Sequence, residues 1–300
     1  MPEVRVELYR GGSCRHPHGM VVRGKGWRPE TFPSLFAALF HPERGVTLFD
    51  TGYARPFLAA TRRFPGRVYR WMTPVTLRAG DTAVEQLAAR GVEARDVKRV
   101  VLSHLHADHI AGTRDFPEAE VICARAAYDS VRTRGRLSAL FRAYLPGLLP
   151  DDFARRARFL DERDFTGPEV GELGPSCDLL GDGSTLLVRL PGHAAGQLGL
   201  LARAEGGKRC FLVADAAWTR AAYRENRGPH PLAHAIFDDA KAAARTLEKL
   251  HRMWREAPEI QLVPSHCSEP SEWDAPVHAR ARADSGRGAV RAARDGAGAA

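Results

Sequence analysis

The chain has 300 residues, 44% of them apolar and 27% charged, which is length enough to bury a sizeable core and an ordinary globular composition. No uninterrupted apolar stretch reaches the ~18 residues of a membrane-spanning helix, and five scattered cysteines with no C-x-x-C pair argue against a disulfide framework or a structural zinc ribbon. The net charge of +8 raises nucleic acid as a partner, but five Arg against two Asp in residues 279–300 supply +3 of it, and the rest is dispersed.

In chain order, the opening MPEVRVELYR alternates Val4, Val6 and Leu8 with charged residues. That predicts a strand and lacks the basic start and apolar middle of a secretory signal, so a cytoplasmic protein is expected. SLFAALF and GVTLFD are apolar runs joined by HPERG, whose Pro42 and Gly45 suit a turn. Residues 81–90 predict a helix with Val84, Leu87 and Ala88 on one face and Gly91 at its stop. A short strand over 99–103 and another at AEVICA follow.

Residues 126–162 turn helical and aromatic, within an insertion placed at about 126–175. Its Phe141, Tyr144, Leu145, Leu148 and Leu149 would suit an acyl chain if they face a pocket. STLLVRL, QLGLLA and RCFLVA predict three more strands, and EIQLVPSH a last one. Residues 238–256 form the clearest helix, with Ala240, Ala243, Ala244, Leu247, Leu250 and Trp254 on its apolar stripe. The expectation is one domain over 1–278 and a solvated Arg/Ala/Gly-rich tail over 279–300.

The chemistry sits in VVLSHLHADHIAG. His104 and His106 are two apart, so on an extended segment both imidazoles face one side. Asp108 and His109 follow where a turn can aim them at the same volume. Four such groups crowded together without a cation would be costly to desolvate, and the donor set suits zinc or another borderline divalent ion. His193, Asp215 and His266 each follow an apolar run, in LPGH, CFLVAD and IQLVPSH.

This order of motifs, from FDTG at 49–52 to PSH at 264–266, resembles the metallo-β-lactamase superfamily. The resemblance implies an α/β protein, a four-layer αββα sandwich with its site along one edge. It implies two divalent metal ions, zinc by donor type. His104, His106 and His193 would hold the first, Asp108, His109 and His266 the second, and Asp215 would bridge them. Asp50 would orient ligand imidazoles by hydrogen bonding. A metal-bridging hydroxide would attack a carbonyl or phosphoryl centre, with Asp108 also accepting or relaying the proton.

Asp215 stands where the zinc β-lactamases nearest the namesake carry cysteine, and His106 where the oxygen-reducing diiron relatives carry glutamate. LAARGVEARDVKRVVLSHLHADHIAG and PGHAAGQ look most like the branch of N-acyl homoserine lactonases. There a tyrosine three residues after the bridging aspartate supports the substrate carbonyl. Trp218 stands at that position, and its indole donates a hydrogen bond but cannot exchange a proton as a phenol does. Tyr223 is the nearby phenol considered as its replacement. The reading is a dinuclear-metal hydrolase opening a small-molecule lactone, ester or thioester, with no membrane partner. The open alternatives are a phosphodiesterase acting on nucleic acid and a non-catalytic metal-binding module.

Overall fold

The computed structural model describes residues 1–276, so the tail expected at 279–300 lies outside the described residues. Two sheets carry the architecture. The first holds β1 (Arg5–Pro17), β2 (Pro29–His41), β3 (Gly45–Phe49), β4 (Val75–Thr76), β5 (Val97–Val101), β6 (Glu120–Ala124) and β7 (Ala157–Leu160), in the order β4-β1-β2-β3-β5-β6-β7. The second holds β8 (Cys177–Asp178), β9 (Thr185–Arg189), β10 (Leu198–Arg203), β11 (Arg209–Ala214) and β12 (Ile260–Pro264), in the order β12-β11-β10-β9-β8. With their helices they form the four-layer αββα sandwich that the sequence resemblance implies. One apolar cluster runs through both sheets, from Val4 to Trp273.

Strand direction positions the site. β3, β5, β6 and β7 are parallel neighbours. β9 and β11 both run antiparallel to β10, and β12 runs parallel to β11. The loops after β3, β5, β9, β11 and β12 therefore leave from the ends of strands that point one way within their sheet. Backbone hydrogen bonds stitch the sheets at this edge: Leu198 N–H donates to Ser103 O, and Leu35 N–H to Ser265 O, each at 2.8 Å.

Two expectations need correction. Residues 157–160 are a strand, not helix, and they pair with β6 (Val121 opposite Ala157). Four residues are too few for periodicity to separate strand from helix. The insertion thus supplies the edge strand of the first sheet. Of the five residues expected to suit an acyl chain, Tyr144, Leu145, Leu148 and Leu149 are buried in the core, and Phe141 is 73% exposed.

The last helix, Ala240–Glu256, is rotated from its expected face. It buries Ala242, Thr246, Leu247, Leu250 and Met253, while Ala244 and Trp254 are exposed. Asp239 caps its start by accepting from the N–H groups of Lys241 and Ala242 at 2.8 and 2.9 Å. Thr246 Oγ1, on the buried face, donates to Pro191 O at 2.7 Å and anchors the helix to the loop it packs on. Among the described residues no helix is long and apolar enough to cross a membrane.

Candidate metal centre

After β5 the chain stays extended through His106 and then makes a single helical turn, Ala107–Ile110. The extended part points His104 and His106 to one side, their rings 4.5 Å apart, and the turn brings the His109 ring to 4.1 Å from that of His104. Ser34 Oγ donates to Asp108 O and Thr51 Oγ1 to His109 O, each at 2.8 Å, which fixes that turn. Ala107 N–H donates to Ala143 O at 3.0 Å, so the insertion braces the turn by its backbone.

All seven residues expected as ligands meet here and all are buried. They form two groups, His104, His106, His193 and Asp215 in one, Asp108, His109 and His266 in the other. Asp215 faces both. Its Oδ2 lies 3.2 Å from His193 Nε2 and 4.0 Å from His104 Nε2, and its Oδ1 lies 3.3 Å from both His109 Nε2 and His266 Nε2.

The surroundings decide which nitrogens are free. Asp50 accepts from Ser103 N–H (2.8 Å) and Ser103 Oγ–H (2.7 Å), and Asp50 Oδ2 also accepts from His109 Nδ1–H at 2.8 Å. Ser103 Oγ, having given its proton to Asp50, accepts from His104 Nδ1–H at 3.0 Å. His266 Nδ1–H donates to Pro33 O at 2.8 Å. Three rings are thereby left with Nε2 lone pairs turned inward. His104 Nε2, His109 Nε2 and Asp215 Oδ1 are buried without hydrogen-bond partners.

Lone pairs facing a carboxylate oxygen at 3.3 Å repel unless positive charge lies between them, so the donor set fits a pair of divalent cations. Proton affinities follow the same field. Burial, with help from neighbouring imidazoles, holds His104 and His106 well below the ordinary histidine value. Burial opposes charge on His109 and His266 too, but Asp108 and Asp50 on the first, and Asp215 on both, raise them. Burial likewise opposes the Asp215 carboxylate, and His266, His109 and His193 nonetheless hold it well below its usual range.

Trp218 is part of the site. Its Nε1–H donates to Asp215 Oδ2 at 2.9 Å, and its ring lies 5.8 Å from His193 and 5.9 Å from Phe237. Tyr223 is not. Its hydroxyl donates to Leu262 O at 3.3 Å and its ring is buried in the core, because the helix Arg220–Arg224 turns that face inward. Sequence reasoning missed Ser103, whose adjacency to the motif was an available signal. It also missed the Pro33 carbonyl and Phe237, which only the tertiary structure reveals.

A cavity of about 340 Å³ opens beside Asp215 and Trp218, lined by Phe237 and by residues of the last helix. No residue of the 126–175 insertion lines it. The insertion instead borders a cleft of only about 30 Å³ behind His106, through Ala127, Val131 and Arg142. The residues expected to suit an acyl chain therefore do not border the cavity beside Asp215 and Trp218. The five cysteines are buried and unpaired, and burial pushes the Cys14 thiol, near Asp108, up to about 12.

Residues 35–254 match the family described as the metallo-beta-lactamase superfamily. Over 278 residues the chain is 30% identical to the N-acyl homoserine lactonase AttM of Azorhizobium caulinodans, covering 91% of this chain and 96% of that protein. A solved N-acyl homoserine lactone hydrolase, with the product N-hexanoyl-L-homoserine at its catalytic metal centre, superposes with a TM-score of 0.69 at 18% identity, covering 89% of this chain and 94% of that one. AidC, a dizinc quorum-quenching lactonase, superposes with a TM-score of 0.62 at 16% identity over 90% of each chain.

Proposed function

Because the chain belongs to the metallo-beta-lactamase superfamily, we propose that it holds two divalent ions, zinc by donor chemistry, and hydrolyses a small acyl lactone, ester or thioester. It is a metal-dependent hydrolase. The observation that carries the two-ion reading is Asp215, whose oxygens face different ligand groups at 3.2 and 3.3 Å. The lactone is favoured by the likeness to AttM and to the product-bound lactone hydrolase. A cavity of about 340 Å³ suits a small molecule and is too small for a nucleic-acid strand.

Ions bound here would supply an activated water and a polarised carbonyl. The chain's own part is arrangement and proton traffic. Asp50, Ser103 and the Pro33 carbonyl hold three imidazoles with their lone pairs inward. Asp108 takes a proton from the attacking water and returns it to the alkoxide as the acyl C–O bond breaks, so lactone and water give a hydroxy acid. Trp218, its N–H committed to Asp215, acts as a wall of the pocket and not as an acid.

Elemental analysis of purified protein, then turnover of acyl lactones, thioesters and phosphodiesters with and without chelator, tests the reading. Two equivalents of metal and chelator-sensitive lactone hydrolysis are expected, and His104→Ala and Asp215→Ala should each remove more than 99% of turnover. Full activity in both variants would sink it.

A further inference from the structure

We infer that the cavity beside Asp215 and Trp218 takes an acyl chain ending in a carboxylate. The reacting group rests on the reading above; the charged end rests on the cavity itself. Asp215 and Trp218 line the cavity together with Ala217, Phe237, Ala243 and Leu247, an apolar set suited to methylenes. Two arginines from different parts of the chain also line this cavity, Arg23 beyond the helix His18–Val21 and Arg245 on the last helix.

Backbone bonds fix the Arg23 segment, and both arginines are exposed to solvent. Arg23 N–H donates to Gly228 O at 3.0 Å, and His230 N–H to Met20 O at 3.1 Å, so the Arg23 segment is tied to residues that also line the cavity. Neither guanidinium makes a hydrogen bond or ion pair with any described residue, whereas Arg220, Arg224 and Arg252 in the same region are paired with Glu269 or Glu172. Arg245 does act electrostatically on Asp239, the cap one turn back, lowering its proton affinity after the backbone bonds. Two acids line the cavity. Asp215 is surrounded by imidazoles, and Glu248, one turn from Arg245, forms no ion pair with it. His234 also contributes to the lining.

Besides Asp215, the lining thus carries two arginines against one carboxylate. Guanidinium and carboxylate match in shape and charge, and a bidentate pair fixes a flexible tail. A volume near 340 Å³ with apolar walls fits a short chain with one charged end and not a polymer of phosphates.

The test compares N-hexanoyl and N-(5-carboxypentanoyl) homoserine lactone on the zinc-loaded protein, with binding of hexanamide and 5-carboxypentanamide followed calorimetrically. The wild type should favour the carboxylate-ended lactone in kcat/KM by tenfold or more, and the preference should shrink as salt rises. The double variant Arg23→Ala, Arg245→Ala should lose roughly ten- to hundredfold on that substrate, the size expected for lost charge-assisted contacts, and stay within threefold on the neutral one. Arginine-dependent binding of 5-carboxypentanamide without turnover of any lactone supports the charged subsite and overturns the assigned reaction. Turnover of both lactones with no preference and no effect of the double variant overturns the subsite and leaves the reaction standing.

Discussion

Asp50→Asn separates metal binding from folding more cleanly than loss of a ligand does. Asp50 has a backbone φ of 62°, a conformation asparagine adopts as readily as aspartate, so the turn after β3 survives. The side chain now accepts three hydrogen bonds, two from Ser103 and one from His109 Nδ1–H. An asparagine carbonyl can still accept from Ser103 N–H. Its NH2 then faces His109 Nδ1, and two donors oppose each other. The ring can relieve this by moving its proton to Nε2, which places hydrogen where the lone pair must point. Loss of such a supporting carboxylate costs roughly 10–100-fold in metal affinity, or about 1.4–2.7 kcal/mol. The loss should fall on the group of Asp108, His109 and His266, which contains that ring. Competition titration with a chromophoric zinc chelator should show one site weakened and the other within severalfold of wild type, with an unchanged far-ultraviolet spectrum. Two sites of unaltered affinity would refute the tautomer argument.

Four further substitutions probe the frame. Gly192→Ala would place a Cβ 2.0 Å from the backbone N of Ala243, against the helix that braces His193, and should cost roughly 3 kcal/mol or more in urea unfolding. Gly91→Ala, also at positive φ but facing open space, should cost only about 1 kcal/mol. Glu85 closes a capping box with Thr82, and hydrogen bonds from the Thr82 hydroxyl and from Arg55 lower its proton affinity to about 2. Since the folded value is depressed, the stabilisation is present above the ordinary carboxylate range and is lost as pH falls toward 2. Glu85→Gln should therefore cost about 0.5–1 kcal/mol near neutrality, with a Tm gap to wild type that closes on acidification. Tyr223→Phe should lose about 1 kcal/mol of stability with its hydrogen bond to Leu262 O, yet leave kcat/KM within twofold; a tenfold fall would return Tyr223 to the site.

The site was largely legible in the sequence because its crowding is local. His104 to His109 share one strand end, and period two followed by a turn decides which side chains converge. His193, Asp215 and His266 were readable because each ends an apolar run, although their convergence is a property of strand direction in two sheets. Partners set by distant chain were not readable. The Pro33 carbonyl is 233 residues from His266, and nothing in either sequence neighbourhood announces the bond. The last helix was misaligned for a related reason. Alanine is nearly indifferent to burial, so Ala240, Ala243 and Ala244 did not mark the face, which Thr246, Leu250 and Met253 share with Leu247 against the loop at Pro191 and Gly192. The same holds for Arg23 and Arg245, which share a cavity only after folding.

Backbone strain gathers at this edge in a way that stability measurements can resolve. Four described residues other than glycine have positive φ: Asp50, Ala143, Ala214 and Asn226. Asp50 supports His109, Ala143 braces the turn that carries Asp108, and Ala214 immediately precedes Asp215. At φ 48°, Ala214 turns the end of β11 so that the next side chain faces the imidazoles, and an alanine there costs about 1–2 kcal/mol relative to glycine. Ala214→Gly removes that strain while losing one buried methyl (about 0.8 kcal/mol) and loosening the unfolded chain (about 0.4–1 kcal/mol). The terms nearly cancel. Ala38, in the middle of β2 and 0% exposed, has the two costs without the relief. Chemical denaturation should therefore find Ala38→Gly destabilised by about 1.2–1.8 kcal/mol and Ala214→Gly close to wild type, with reduced metal affinity in the latter alone. Equal losses of stability at both positions would mean that the turn before Asp215 is not strained, and that the placement of the carboxylate between the two ligand groups needs another cause.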